Sequence, residues 1–194
     1  VYAYESVAKL NNTFKNMLGE VKGAAIAKEM TEFSLQANAS DIALRRVGST
    51  WVSIVNNADR LMPILKGLEK LSSSMTDEEM INSGRALAQI QAGPTALWED
   101  IQQLATSGIP VGKIAEKLGL NNVKEASGMD STKFIDAFLE VMKKVPERDI
   151  LITRMISNTM EKMEASFAPT GQIVSKVFAP FVNVMDKIVG AYKV

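Results

Sequence analysis

The chain is expected to be an all-α protein of amphipathic helices, and three observations predict it. Apolar residues recur at intervals of three and four along most of the 194 residues, which is helical rather than strand spacing. Start and stop signals bracket those runs: Ser40-Asp41, Thr76 with Glu79, and Asp130-Ser131 open them, and Gly48, Gly108 and Pro146 close them. No alternating long strand, Gly-rich phosphate loop or fixed-period repeat competes with this pattern. The expected division is an extended helical arm (1–48), a small helical bundle (49–146) and a hydrophobic helical region (147–194).

The first run, Tyr4 to Phe33, places Val7, Leu10, Phe14, Met17, Val21 and Ala24 in one seam and predicts a helix of several turns. Beyond Gly23 the seam continues through Ile26, Met30, Phe33 and Ala37 in a slipped phase, so no strict coiled coil is sustained. Gly19, Gly23 and Ala27 form a small-residue face suited to close packing. Glu20, Lys22, Lys28 and Glu29 interrupt any apolar span of about 20 residues that a membrane would need.

Ser40-Asp41 caps a helix through Val47 that Gly48 can end. Trp51 to Val55 alternates and is β-branched, yet Ile54, Ala58, Leu61, Leu65 and Leu68 extend a helical pattern in which Pro63 marks a kink or a fresh start. Leu71 to Met75, with its three serines, is a loop. Thr76 and Glu79 form a capping box, and Asp77, Glu78 and Glu79 suit the positive end of the helix carrying Met80, Leu87 and Ile90. Gly93-Pro94 closes that helix and starts the next, which carries Leu97 and Trp98, the latter a core or interface residue. After Leu120, Asn121 caps a single turn that Ser127-Gly128 breaks, and Asp130 or Ser131 caps a helix with Phe134, Phe138, Val141 and Val145 on one face. Asp149 to Phe167 is a Met-containing helix with Ile152, Met155, Ile156 and Met163. From Gly171 the chain is apolar nearly all round, bent at Pro180, and Phe178, Phe181 and Met185 are its candidate oligomer or membrane contacts.

The stretch Leu97 to Leu120 is the organising element. Leu97, Ile101, Leu104 and Ala105 fall at helical spacing, Gly108 supplies a left-handed stop, and Ile109-Pro110 begins a second helix bearing Val111, Ile114 and Leu118. Gly108, Ile109 and Pro110 are thus the candidate structural corner. Gln103-Leu104-Ala105, Gly108-Ile109-Pro110-Val111 and Ile114-Ala115-Glu116-Lys117-Leu118-Gly119 together resemble the helical region of tail tape measure proteins of tailed bacteriophages. Arg85 to Ile90 and Met160 to Phe167 resemble that family too, over about residues 60–190. Asn121-Asn122-Val123 departs from it, standing where small acidic and Gly-containing turns are usual.

The resemblance implies a structural virion protein, present in several copies inside the tail tube, whose length sets tube length during assembly and which leaves before DNA is ejected. Its partners would be sister copies, the tail tube and baseplate or tail-tip proteins, with host membrane contact at the apolar terminal region. Assembly would take place in the host cytoplasm. Val1 in place of Met, with no signal-like segment after it, fits a portion of a longer product.

Composition agrees with a passive role. Hydrophobic residues make up 46% and charged residues 23%, ordinary for a globular chain. Basic and acidic residues balance at 22 each, so no net field steers the chain toward nucleic acid or an anionic surface. There is no Cys and no His, which removes thiol chemistry and the commonest general base and metal ligand; neither a cofactor nor a metal is expected. Glu99-Asp100 are sequence neighbours and point to different parts of a helix surface rather than across a cleft, so no catalytic set is expected. The alternative is a DNA-binding module: Ile109 to Val123 has a helix-turn-helix pattern, with Lys113, Lys117 and Lys124 as its few cations.

Overall fold

A computed structural model describes residues 2–146 of the chain. Within that span run eight α-helices: α1 (Tyr2–Leu18), α2 (Glu20–Gln36), α3 (Asp41–Val55), α4 (Leu61–Glu69), α5 (Asp77–Ala92), α6 (Trp98–Thr106), α7 (Val111–Lys117) and α8 (Ser131–Lys144). Two 3-10 turns, Ser72–Ser74 and Val123–Ala126, join them. The all-α expectation holds, and an isolated bridge between Thr95 and Asp130 is the β-type pairing seen among the described residues. The helices expected over 149–167 and from Gly171 onward, and with them the third region, lie outside the described residues.

The N-terminal part corrects the sequence reading. One continuous helix was expected from Tyr4 to Phe33, but Gly19 sits at φ +82, a conformation that costs glycine little and other residues more, and the chain reverses there. Two pairs of contacts show the reversal. Arg45 of α3 donates to Asn11 of α1 and to Thr31 of α2, and Phe14 of α1 and Met30 of α2 both meet Gly48. Thus α1 runs parallel to α3 and α2 antiparallel to both. The slipped seam is the signature of a hairpin whose two limbs each carry their own apolar stripe. Phe14 and Met30 are buried, while Met17 and Val21, expected in the same seam, are 39% and 84% exposed. Residues 2–48 therefore do not extend as an arm: Phe14 and Met30 share one core with Trp51, Leu87, Ile101 and Phe138.

Helix α3 starts as expected, with the Ser40 hydroxyl accepting from the Ala43 amide at 3.1 Å. It does not stop at Gly48 but continues to Val55, where Asn56 adopts the left-handed conformation at φ 58. Gly48 is there for space: a Cβ would lie 2.9 Å from Met30 Sδ and 3.1 Å from Phe14 Cζ. The boundary expected between 48 and 49 falls inside this helix. The expected run from Ile54 to Leu68 is broken at Asn56, and α4 begins afresh at Leu61, with Pro63 in its first turn where no amide donor is needed.

Helices α3 and α5 also lie parallel. The Ser40 hydroxyl donates to Asp77 Oδ2 at 2.6 Å at their N-terminal ends. Two turns on, at the same sequence offset, a Cβ on Gly84 would come within 2.5 Å of Val47 Cγ1. Parallel neighbours need a crossover, which α4 and the serine turn provide. The Thr76–Glu79 capping box forms as expected, the Thr76 amide donating to Glu79 Oε2 at 2.7 Å and the Glu79 amide to Thr76 Oγ1 at 3.2 Å. Helices α4 and α8 are parallel as well. Arg60 pairs with Asp136 at 2.7 Å, and Lys70 Nζ donates to the carbonyls of Met142 and Val145, a cation at the negative end of α8.

Residues 94–131 pack on α5 and α8 and add Ile101, Leu104, Ile109 and Ile114 to the core, and their two ends are tied together by a backbone neck. Ala96 N donates to Met129 O at 2.8 Å, Gly128 N to Ala96 O at 2.9 Å and Ser131 N to Pro94 O at 3.2 Å. Pro94 therefore opens an extended link instead of a helix. Leu97 stands outside the expected seam as the residue before α6, 56% exposed.

The hairpin is fastened to α3 by Arg45, which is also held in a buried ion pair with Asp41 of its own helix. Arg45 Nε lies 3.0 Å from both carboxylate oxygens of Asp41, and its other nitrogens reach Asn11 Oδ1 and Thr31 Oγ1, each at 2.7 Å. Truncating one member leaves a charge buried without its partner, which costs about 3–5 kcal/mol. Arg45→Ala is accordingly expected to lower the urea-unfolding free energy by about 3 kcal/mol or more. A loss below about 1 kcal/mol, the size typical of an exposed pair, would contradict this role.

Candidate functional site

The corner at Gly108, Ile109 and Pro110 is built from backbone bonds. Ile109 N donates to Leu104 O at 3.0 Å and Gly108 N to Ala105 O at 3.2 Å, with Gly108 at φ +86, which is a Schellman ending for α6. Pro110, at φ −76 and ψ 66, then makes an inverse γ-turn closed by Val111 N to Ile109 O at 2.8 Å. Helix α7 ends the same way: Leu120 N donates to Ala115 O and Gly119 N to Glu116 O, both at 3.0 Å, with Gly119 at φ +73. Two glycines thus stop two short helices. Leu104, Ile109 and Ile114 point inward and are at most 3% exposed, whereas Ala105, expected in the seam, is exposed.

An open groove of about 710 Å³ lies beside the corner. Gly108 and Pro110 form one side, Val141, Val145 and Pro146 the other, and Leu71 completes the apolar lining. Lys113 and Lys117 of α7 and Lys144 of α8 rim it, together with Glu116 and Glu140. Glu140 accepts from Lys143 at 2.5 Å. That hydrogen bond, then the charges of Lys143, Lys117 and Lys144, hold its carboxyl below the ordinary carboxylate range. No ion pair among the described residues engages Lys113, Lys117 or Lys144. The groove presents three lysines and two glutamates around an apolar floor.

The remaining expectations fall in several places. Beyond Gly119, where a helix-turn-helix would need a recognition helix, the chain makes the single 3-10 turn Val123–Ala126. Asn122, not Asn121, caps it, its Oδ1 accepting from the Glu125 amide at 3.3 Å. The next helix, α8, buries Phe134, Ile135 and Phe138 in the core. Trp98 is half-buried and packs against the core, as expected. No described helix is long and apolar enough to cross a membrane. Among the described residues no cluster of three acidic side chains could hold a metal ion. Phe178, Phe181 and Met185 lie outside the described residues.

Sequence reasoning missed the Asp41–Arg45 pair and the groove. The first had a signal, an Asp four residues before an Arg on a capped helix; the second joins residues from the serine loop, α7 and α8 and had none.

Asp100 is the buried acid of this region, 8% exposed, and burial, followed by the neighbouring Glu99 charge, raises its pKa. A raised folded-state pKa means that the protonated form favours folding. That contribution is complete below the unfolded-state value and is lost as pH rises through the folded-state value. Asp100→Asn is therefore expected to raise the melting temperature by a few degrees at pH 7 and to leave it nearly unchanged at pH 3. A lower melting temperature at pH 7 would show the charged form to be favoured instead.

No protein-family model, curated protein or solved structure matches the chain.

Proposed function

We propose that this chain is a structural part of a phage tail, an ordered portion of a tape measure protein that occupies the tail tube in several copies. It sets tube length during assembly and departs at DNA ejection. Its partners are sister copies, the tube and the baseplate or tail-tip proteins, with the host membrane a further contact. The single observation that supports this reading is the corner: the residues that carry the resemblance, 103–119, form one unit, the end of α6, the Gly108 stop, and α7 with its own stop at Gly119. A fold of this kind is compatible with other functions, so the reading stands on those residues and not on the all-α architecture.

A ruler predicts proportion. Duplicating residues 2–146 in frame within the native gene should lengthen the tails seen by electron microscopy. A folded body of this size has a radius of gyration near ~15 Å and would add on the order of 40 Å. The same residues drawn into one continuous helix would add about 220 Å. Tails of unchanged length would contradict the reading.

A further inference from the structure

The N-terminal hairpin turns on one residue. Helix α1 ends at Leu18, α2 begins at Glu20, and Gly19 between them sits at φ +82. So short a turn presses the two limbs together: a Cβ on Gly23 would lie 2.4 Å from Lys15 Cα and 2.6 Å from the Phe14 carbonyl carbon. The turn also leaves apolar surface uncovered. Val7, Leu10, Phe14, Met17, Val21 and Ala24 are spaced by threes and fours straight through Gly19, the spacing of an uninterrupted helix. Yet Met17 and Val21, on either side of the reversal, stand exposed. Ile54, at the end of α3 that lies beside the end of the parallel α1, stands exposed as well.

The contacts that hold α1 are made by residues on the far side of this hinge. Asn11 accepts from Arg45 of α3 at 2.7 Å, Phe14 fills the space left by Gly48, and Lys15 pairs with Glu20 of α2 at 2.5 Å. A second copy of the chain presents the same partners, so α1 of one molecule finds on another the site it occupies at home. Short hinges promote such exchange, because they leave the chain little room to fold back on itself.

We propose that the protein forms a domain-swapped dimer with a second copy of itself: Gly19 leaves the left-handed region, and α1 of each molecule packs on α2 and α3 of the other. The contact needs no new complementarity, because the exchanged surfaces are those the chain already closes within itself. The two hinges run past each other about the two-fold axis, which sets Met17 and Val21 of one copy beside those of the other and covers them. Within one chain, α1 meets its site at the effective concentration of a short link, in the millimolar range. The closed monomer therefore prevails in dilute solution and the dimer gains as concentration rises. Exchange of α1 requires nothing from the tail reading: unchanged tail length on duplication would leave it standing, and its own failure would leave the ruler test intact.

Energy transfer between labelled copies of the full 194-residue chain tests it. The chain has no cysteine, and Lys9 of α1 and Arg46 of α3 are both exposed, so Lys9→Cys and Arg46→Cys accept a donor and an acceptor without touching the core. A dilute chain carrying both labels gives the distance within one monomer. Donor-only and acceptor-only chains, mixed in urea and refolded together at about millimolar concentration, should yield a discrete dimer on size exclusion in which the same distance runs between chains. Gly19→Ala introduces a Cβ that meets nothing within 4 Å but a φ that alanine adopts at a cost, so it should raise the dimer association constant by about tenfold or more. Inserting Gly-Ser-Gly after Gly19 should lower it by as much, since a longer hinge lets each chain close on itself. A wild-type chain that refolds wholly as monomer would overturn the proposal. So would a dimer whose distance between chains differs from that within the monomer, or one indifferent to the insertion, since the contact would then run through surfaces other than α1.

Discussion

The described body depends on two adjacent residues of α3. Val47 packs into the space left by Gly84 of α5, and Gly48 leaves the space that Phe14 and Met30 fill from the helical hairpin. One helix is thereby approached closely from two sides, and a methyl group at Gly84 would overlap Val47 while one at Gly48 would press on Met30 and Phe14. Close approach lets the core side chains interlock at the density of protein interiors, and Trp51, one turn further along α3, is wholly buried as a result. Arg45, held by its pair with Asp41, then fixes which part of the hairpin lies against which turn of α3, since its hydrogen bonds reach one polar residue on each limb.

Much of this was legible locally. Caps and stops depend on a few consecutive residues, so Ser40, the Thr76–Glu79 box, Gly108 and Asp130 act where the sequence places them. What could not be read was the use of a glycine whose role is set from far along the chain. Gly48 looks like a helix stop and is an interior contact, whereas Gly19 looks like a small face on a long helix and is a chain reversal. The difference lies in what packs against each residue, in Met30 and Phe14 for the first and in nothing for the second. Leu97 was misplaced for a related reason: the backbone neck to Gly128–Ser131 holds it outside the helix that its spacing suggested.

The corner and its groove show the same division between near and far. Two Schellman endings and an inverse γ-turn follow from Gly108, Pro110 and Gly119, which any reader of the sequence can find. The hollow beside them exists only because α8 lays Val141, Lys144 and Val145 next to α7. A surface assembled in this way is carried by the packing of α7 against α8, so the groove rests on the same helix contacts as the core.

Substitution of two glycines by alanine tests the central contact most directly, with unfolding free energies measured in urea. Gly84 and Gly112 both lie in helices at ordinary φ, but a Cβ at 84 meets Val47 at 2.5 Å and a Cβ at 112 meets nothing within 4 Å. Gly112→Ala should stabilise the fold by about 0.5 kcal/mol through helix propensity alone, and Gly84→Ala should destabilise it by about 1–3 kcal/mol through overpacking. If both substitutions stabilised the protein, the close approach of α3 and α5 could not be what holds the body together.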